Sequence, residues 1–113
     1  MKNKDYSDLW SKNLMSNYSV PSITLVKAKG CIVQDANGVK YLDMLGGIAT
    51  SILGHAHPAV VAAVSRQIKT LSHVSNFYAH PNAIELAQIL IRLTGKKESR
   101  VFFAQSGAEA NEA

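Results

Sequence analysis

The sequence has little cysteine, proline and tryptophan: one Cys, three Pro and one Trp in 113 residues. A single thiol, Cys31, cannot form an internal disulfide, and its strand-like surroundings favour a small buried thiol in a reducing compartment. Met1 to Lys12 is polar and lacks the apolar core of a signal peptide. No apolar run is long enough to cross a bilayer. We therefore expect a cytoplasmic protein.

The charge pattern excludes another class of partner. The net charge is +4 and the isoelectric point is near 9.3, which would permit nucleic-acid binding. However, the lysines are scattered and no basic stripe carries interleaved aromatic residues. With 47% hydrophobic and 18% charged residues, the composition is ordinary for a packed globular enzyme or part of one. We therefore expect no nucleic-acid partner and no membrane partner.

Apolar periodicity predicts an alternating set of helices and strands. Tyr6, Leu9, Trp10 and Leu14 recur at helical spacing. Strands are expected at 23–29, 31–34 and 39–42, the last two joined by an Asn-Gly turn, which is a strong hairpin signal. Helices are expected at about 58–71 and from Pro81 to a stop at Gly95. A buried strand is expected at 100–104.

The last eight residues carry the strongest chemical signal. The apolar run Val101–Ala104 is followed by a glycine turn and a string of helix formers. The first amides of a helix lack intrahelical partners and lie at the positive end of its dipole, so Ser106, Gly107 and Ala108 are a candidate phosphate site. Gly107 would let the backbone approach the ligand closely. The alternative is that Ser106 and Glu109 form the capping box of an ordinary helix.

Other chemical sites receive less support. His55 and His57 lie two apart with no acidic or cysteine ligand nearby, so capping or loop hydrogen bonding is favoured over a metal site. Ser106 does not lie in a G-x-S-x-G motif and has no activating partner in sequence. Cys31 has no activating neighbour. We predict no metal site and no hydrolytic triad.

Several motifs together are similar to those of the class III pyridoxal-phosphate aminotransferases. They are Gly46-Gly47-Ile48-Ala49, the run Leu53 to Pro58, Phe102-Phe103 and Ser106 to Glu112, in order and spacing; Ser75 to Ala79 is similar to one subgroup in particular. The resemblance implies an α/β protein of fold type I, with a mainly parallel sheet in a large domain and a smaller α+β domain. Residues 1–55 would be the N-terminal segment of the small domain, with an antiparallel hairpin and interface loops. Residues 56–113 would start the large cofactor-binding domain, truncated after the phosphate-binding turn.

The resemblance also implies roles for individual residues. The amides at Gly107 and Ala108 would hold the phosphate of pyridoxal 5'-phosphate, with Ser106 beside them. Tyr18 corresponds to a segment near the substrate, although packing is an equal alternative for this side chain. Ornithine-specific members carry a tyrosine where this chain has Ile48, which favours an acetylated substrate. Gly46 to Ala49 would line the site of the partner subunit in a homodimer.

The subgroup most like this chain moves the δ-amino group of N2-acetyl-L-ornithine to 2-oxoglutarate in arginine biosynthesis. Ornithine, succinyl-diaminopimelate and other ω-amino acids are alternative donors. The Schiff-base lysine is implied to lie beyond Ala113, so no catalytic residue is expected in this chain.

The final predicted helix has about seven residues, too few to be stable without packing partners. We therefore expect the N-terminal part of a longer enzyme, inactive alone and with much exposed apolar surface. The alternative is a catalytically inactive remnant or a partner-binding fragment.

Overall fold

The computed structural model describes all residues from Met1 to Ala113, which divide into two compact units, Met1–Thr70 and Leu71–Ala113. The first unit contains three strands and three helices, and the second contains two helices. In chain order the elements are α1 (Asn3–Asn13), β1 (Leu25–Lys29), β2 (Ile32–Asp35), β3 (Lys40–Leu42), α2 (Gly46–Ala49), α3 (Pro58–Ile68), α4 (Pro81–Thr94) and α5 (Gly107–Glu112).

The strands form an antiparallel sheet in the order β1-β2-β3. The turn between β2 and β3 is closed by hydrogen bonds from the Asp35 amide to the Val39 carbonyl (2.9 Å) and from the Gly38 amide to the Asp35 carbonyl (3.0 Å). Gly38 has φ +90°, a conformation that L side chains rarely adopt. The hairpin predicted from the Asn-Gly pair is confirmed.

A buried polar cluster ties α1 to this hairpin. Asp35 is 2% exposed, and its Oδ2 accepts hydrogen bonds from Asn3 Nδ2 (2.8 Å) and Tyr41 Oη (3.0 Å). Its Oδ1 accepts from the amides of Asn37 and Val39. Burial raises the pKa of Asp35, but hydrogen bonds from Asn3 and three further donors outweigh burial and lower it. Asp35 is therefore ionised at neutral pH although its side chain is buried.

The two long helices begin and end as the sequence predicts. Pro58 and Pro81 occupy the first positions of α3 and α4, where a missing amide costs nothing. His80 caps α4 by accepting from the Asn82 amide at 3.3 Å. Gly95 ends α4 in the left-handed conformation, with φ +68°. The α3 helix ends at Ile68, three residues before the predicted boundary.

Two predictions about burial and pairing are wrong. Residues 100–104 form no strand, because no other segment of the chain pairs with them. A strand needs a neighbour for its backbone groups, and Phe102 is 69% exposed. Cys31 is exposed rather than buried, since it occupies the short turn between β1 and β2.

The chain exposes far more surface than a folded monomer of its size. Its accessible area is 9984 Å², whereas a 12.2 kDa protein is expected to expose about 6,100 Å². Val33, which is 5% exposed, is the one buried hydrophobic residue. The predicted exposure of apolar surface is confirmed. None of the helices is both long and apolar enough to cross a membrane.

Candidate functional site

The turn before α5 forms the Ser106 side-chain cap that the sequence predicts, but the reciprocal bond of a full capping box is absent, because the Glu109 carboxylate accepts from the Gln105 amide and not from the Ser106 amide. Ser106 has an extended backbone (φ −151°, ψ 161°), and its Oγ accepts from the Glu109 amide at 3.2 Å. Glu109 Oε2 in turn accepts from the Gln105 amide (2.7 Å) and from Ser106 Oγ (3.3 Å). The Ser106 hydroxyl is therefore committed to the helix cap.

The Ser106 cap leaves two donors of the same turn free. The amides of Gly107 and Ala108 are the first two of α5 and have no acceptor in the chain. Nothing lies within 4 Å of the position that a Cβ on Gly107 would occupy. Two amides without acceptors at the positive end of a helix, beside an uncrowded glycine, fit an anion such as a phosphate group.

Tyr18 lies in the first unit, between α1 and β1. Tyr18 is 75% exposed, and its side chain makes no hydrogen bond within the chain. Neither of its two predicted roles, substrate contact or packing, is tested by these contacts.

An unexpected backbone conformation follows β3. Gly46, Gly47, Ile48 and Ala49 have φ values of +56°, +63°, +60° and +59°, so α2 is a turn of left-handed helix. Such angles suit glycine but cost a non-glycine residue on the order of 1–3 kcal/mol each. Ile48 and Ala49 therefore hold strained conformations. Sequence reasoning missed this because neither residue type signals a positive φ.

Asp43 and His55 close the two ends of the segment that contains this turn. Asp43 Oδ1 accepts from the amides of Leu45 (3.0 Å) and Gly46 (2.9 Å), and its Oδ2 lies 2.8 Å from His55 Nε2. The hydrogen bond from the Gly46 amide, followed by that to His55, lowers the pKa of Asp43. The loop hydrogen bonding predicted for His55 is confirmed, although its partner was not foreseen.

The backbone of His55 adds a second closure. Its amide donates to the Gly30 carbonyl and its carbonyl accepts from the Gly30 amide, both at 2.9 Å. The neighbouring Gly54 has φ +77°, and a Cβ there would meet Gly30 backbone atoms at 3.0 Å. His57 takes no part: it precedes α3 and makes no side-chain capping bond. No three His, Cys, Asp or Glu residues are grouped as metal ligands.

The sequence and the structure both match known proteins. The family model for class-III aminotransferases matches residues 14–113. The acetylornithine aminotransferase of Mycobacterium bovis is 51% identical over 105 residues, which are 92% of this chain and 26% of that protein. The chain belongs to the class-III aminotransferase family.

Solved structures agree with this assignment. The acetylornithine aminotransferase from Elizabethkingia anophelis has a TM-score of 0.89 and 29% identity, covering 99% of this chain and 29% of that one. The ornithine delta-aminotransferase of Plasmodium falciparum also gives 0.89, with 27% identity over 99% of this chain and 28% of that one. The structure thus matches fold type I aminotransferases over little more than a quarter of their length, and the chain spans about a quarter of the curated relatives it matches.

Proposed function

We propose that this chain is the N-terminal part of a pyridoxal-phosphate-dependent aminotransferase. Its reaction transfers the δ-amino group of N2-acetyl-L-ornithine to 2-oxoglutarate. The substrate assignment is supported by about 50% sequence identity to proteins named acetylornithine aminotransferase. Ile48, in place of the tyrosine of ornithine-specific members, supports the acetylated donor over free ornithine.

The observation that carries the cofactor proposal is the pair of free amides at Gly107 and Ala108. When bound there, pyridoxal 5'-phosphate supplies the electron sink for amino transfer. The two amides would donate hydrogen bonds to its phosphate. The bonds between Ser106 and Glu109 stabilise the first turn of α5, which carries those amides.

The rest of the protein completes this arrangement in our proposal. Residues 1–55 belong to the small domain and residues 56–113 begin the large one, where 100–104 pair with strands of a mainly parallel sheet. The exposed apolar surface of the chain supports both this missing sheet and a homodimer. Tyr18 contacts the amino donor, and the Schiff-base lysine comes from the remainder of the protein. The enzyme acts in the cytoplasm.

The complete gene product that contains residues 1–113 tests the function. Purified with pyridoxal 5'-phosphate, it should show a cofactor absorbance band that shifts on addition of N-acetylornithine, and it should form glutamate when 2-oxoglutarate follows. Ornithine and succinyl-diaminopimelate, tested in parallel, identify the preferred donor. A product that binds no cofactor overturns the proposal and supports the partner-binding alternative.

Two substitutions at Gly107 test the phosphate contact. Proline removes the amide but suits the first position of a helix, and the extended backbone of Ser106 is compatible with a following proline. Alanine adds the Cβ while keeping the amide, so it is the matched control. We expect Gly107→Pro to bind pyridoxal 5'-phosphate at least about tenfold more weakly than Gly107→Ala, the effect of one hydrogen bond to a charged group. Equal affinities would contradict this contact.

A further inference from the structure

The left-handed turn Gly46–Ala49 has hydrogen bonds of its own. The Ala49 amide donates to the Leu45 carbonyl (3.0 Å), the Thr50 and Ser51 amides donate to the Gly46 carbonyl, and Thr50 Oγ1 donates to the Gly47 carbonyl (2.9 Å). These bonds act against the cost of left-handed angles at Ile48 and Ala49, which are unfavourable for L-residues. Contacts outside the turn that stabilise its entrance therefore add to its stability.

The contacts of Asp43 and His55 supply that support. One carboxylate oxygen of Asp43 binds the two amides that enter the turn, and the other binds the His55 ring. His55 is in turn anchored to Gly30 by paired backbone hydrogen bonds at the end of β1. The turn is thus tied at its entrance, through one carboxylate, to the sheet. Asp43 is 15% exposed and His55 32%, so solvent competes only partly for this bond.

Ile48, within this turn, has a largely exposed side chain. Ile48 is 81% exposed although it occupies a strained backbone position. Strain is retained where surrounding structure imposes it, and such positions cluster at ligand sites. An exposed apolar side chain on an imposed backbone is suited to contacting a substrate.

We propose that Asp43 and His55 are positioning residues for the amino donor. By holding the turn Gly46–Ala49 in its left-handed form, they fix the place of Ile48 and so the preference for an acylated over a free ω-amino acid. This inference rests on the proposed function. Neither residue touches the reacting atoms; both act through the backbone of the turn.

The test compares donor preference in the complete holoenzyme. His55→Ala removes the ring, and His55→Gln, whose amide nitrogen can replace Nε2, is the matched control. We expect His55→Ala to lower the ratio of kcat/KM for N-acetylornithine to that for ornithine about tenfold, because small misplacements of contacting groups have effects of that order or greater. His55→Gln should stay within about twofold of the wild type, as expected where a hydrogen bond is retained.

The ratio separates positioning from stability, because a smaller folded fraction lowers both kcat/KM values equally. Asp43→Ala should reproduce the effect of His55→Ala, while Asp8→Ala, on the exposed face of α1, should not. If His55→Ala fails to fold, Asp43→Asn, which keeps an oxygen for the two amides but loses the carboxylate, is compared with Asp8→Asn instead. An unchanged ratio in folded variants of an active enzyme overturns the positioning role alone. A wild-type protein without amino transfer overturns the proposed function, and this inference with it.

Discussion

The Asn3 side chain lies between α1 and the hairpin, where its Nδ2 donates to Asp35 at 2.8 Å and its Oδ1 accepts from the Thr24 amide at 3.0 Å. Asn3 is 8% exposed, so these groups have little access to water. One side chain thus connects the first helix, the entry to the sheet and the hairpin turn.

Replacing this residue should release α1 from the sheet. Asn3→Ala leaves a carboxylate oxygen and a backbone amide short of a partner, and we expect a loss of about 1–3 kcal/mol in the free energy of unfolding. Asn13→Ala, which removes an exposed side-chain bond to the Leu9 carbonyl, is the control and should cost no more than about 0.5 kcal/mol. Urea denaturation measures both, and equal losses would show that the buried contacts are unimportant.

Low pH should destabilise the folded chain through protonation of Asp35 and Asp43. The pKa values of Asp35 and Asp43 lie below the ordinary 3.8 in the folded chain, so the unfolded chain binds more protons as the pH falls. The stability they contribute is therefore complete well above 3.8 and is lost as the pH falls through the lowered values. Fluorescence of Trp10, which lines an apolar groove of about 430 Å³ between α1 and β1, should report the transition. Asp35→Asn should weaken this acid dependence, whereas Asp8→Asn should not.

High pH should destabilise the folded chain through ionisation of Tyr41. Its hydrogen bond to Asp35 is the main cause that raises the pKa of the phenol above 10.0, so the folded state keeps a proton that the unfolded state releases. Stability from this bond is complete below pH 10 and is lost as the pH rises through the raised value. Tyr41→Phe should remove that alkaline limb from a plot of unfolding midpoint against pH. Persistence of the limb would assign it to another group.

Alanine substitutions at two glycines should separate the energetic cost of a positive φ from the cost of steric overlap. Both Gly30 and Gly54 have positive φ, but a Cβ on Gly30 meets nothing within 4 Å, whereas one on Gly54 meets Gly30 backbone at 3.0 Å. Gly30→Ala should cost roughly 1–2 kcal/mol, the penalty for the angle. Gly54→Ala should cost a further 1–3 kcal/mol or so for the overlap. Thermal unfolding of the two variants decides, and similar midpoints would refute the overlap.

The sequence predicts those features that depend on neighbouring residues. The hairpin, the prolines that open α3 and α4, and the glycine that ends α4 all follow from local backbone preferences. The cap that Ser106 provides for the Glu109 amide is equally local and is equally confirmed, whereas the reciprocal bond from the Glu109 carboxylate goes to the Gln105 amide instead of the Ser106 amide. Phosphate binding at the adjacent amides stays a prediction.

Features that depend on distant residues could not be predicted. The segment 100–104 has the composition of a buried strand, yet strand formation requires partners that these 113 residues do not provide. The hydrogen bond between Asp43 and His55 joins residues twelve positions apart, and no local sequence pattern predicts it. The left-handed backbone of Ile48 and Ala49 opposes the preference of both residue types, so tertiary contacts had to override the local signal.

In the turn after β3, the residues that hold the backbone differ from the residue whose side chain is exposed, and this difference has an evolutionary consequence. Hydrogen bonds of Asp43, His55 and Gly30 hold the two ends of this segment, while Ile48 is 81% exposed. Another non-glycine side chain at position 48 meets the same positive φ that Ile48 already adopts, so the exchange should add little strain to the framework. Under the proposed function, a lineage could acquire a new amino donor at this position in a single mutational step, without first accumulating compensating changes elsewhere.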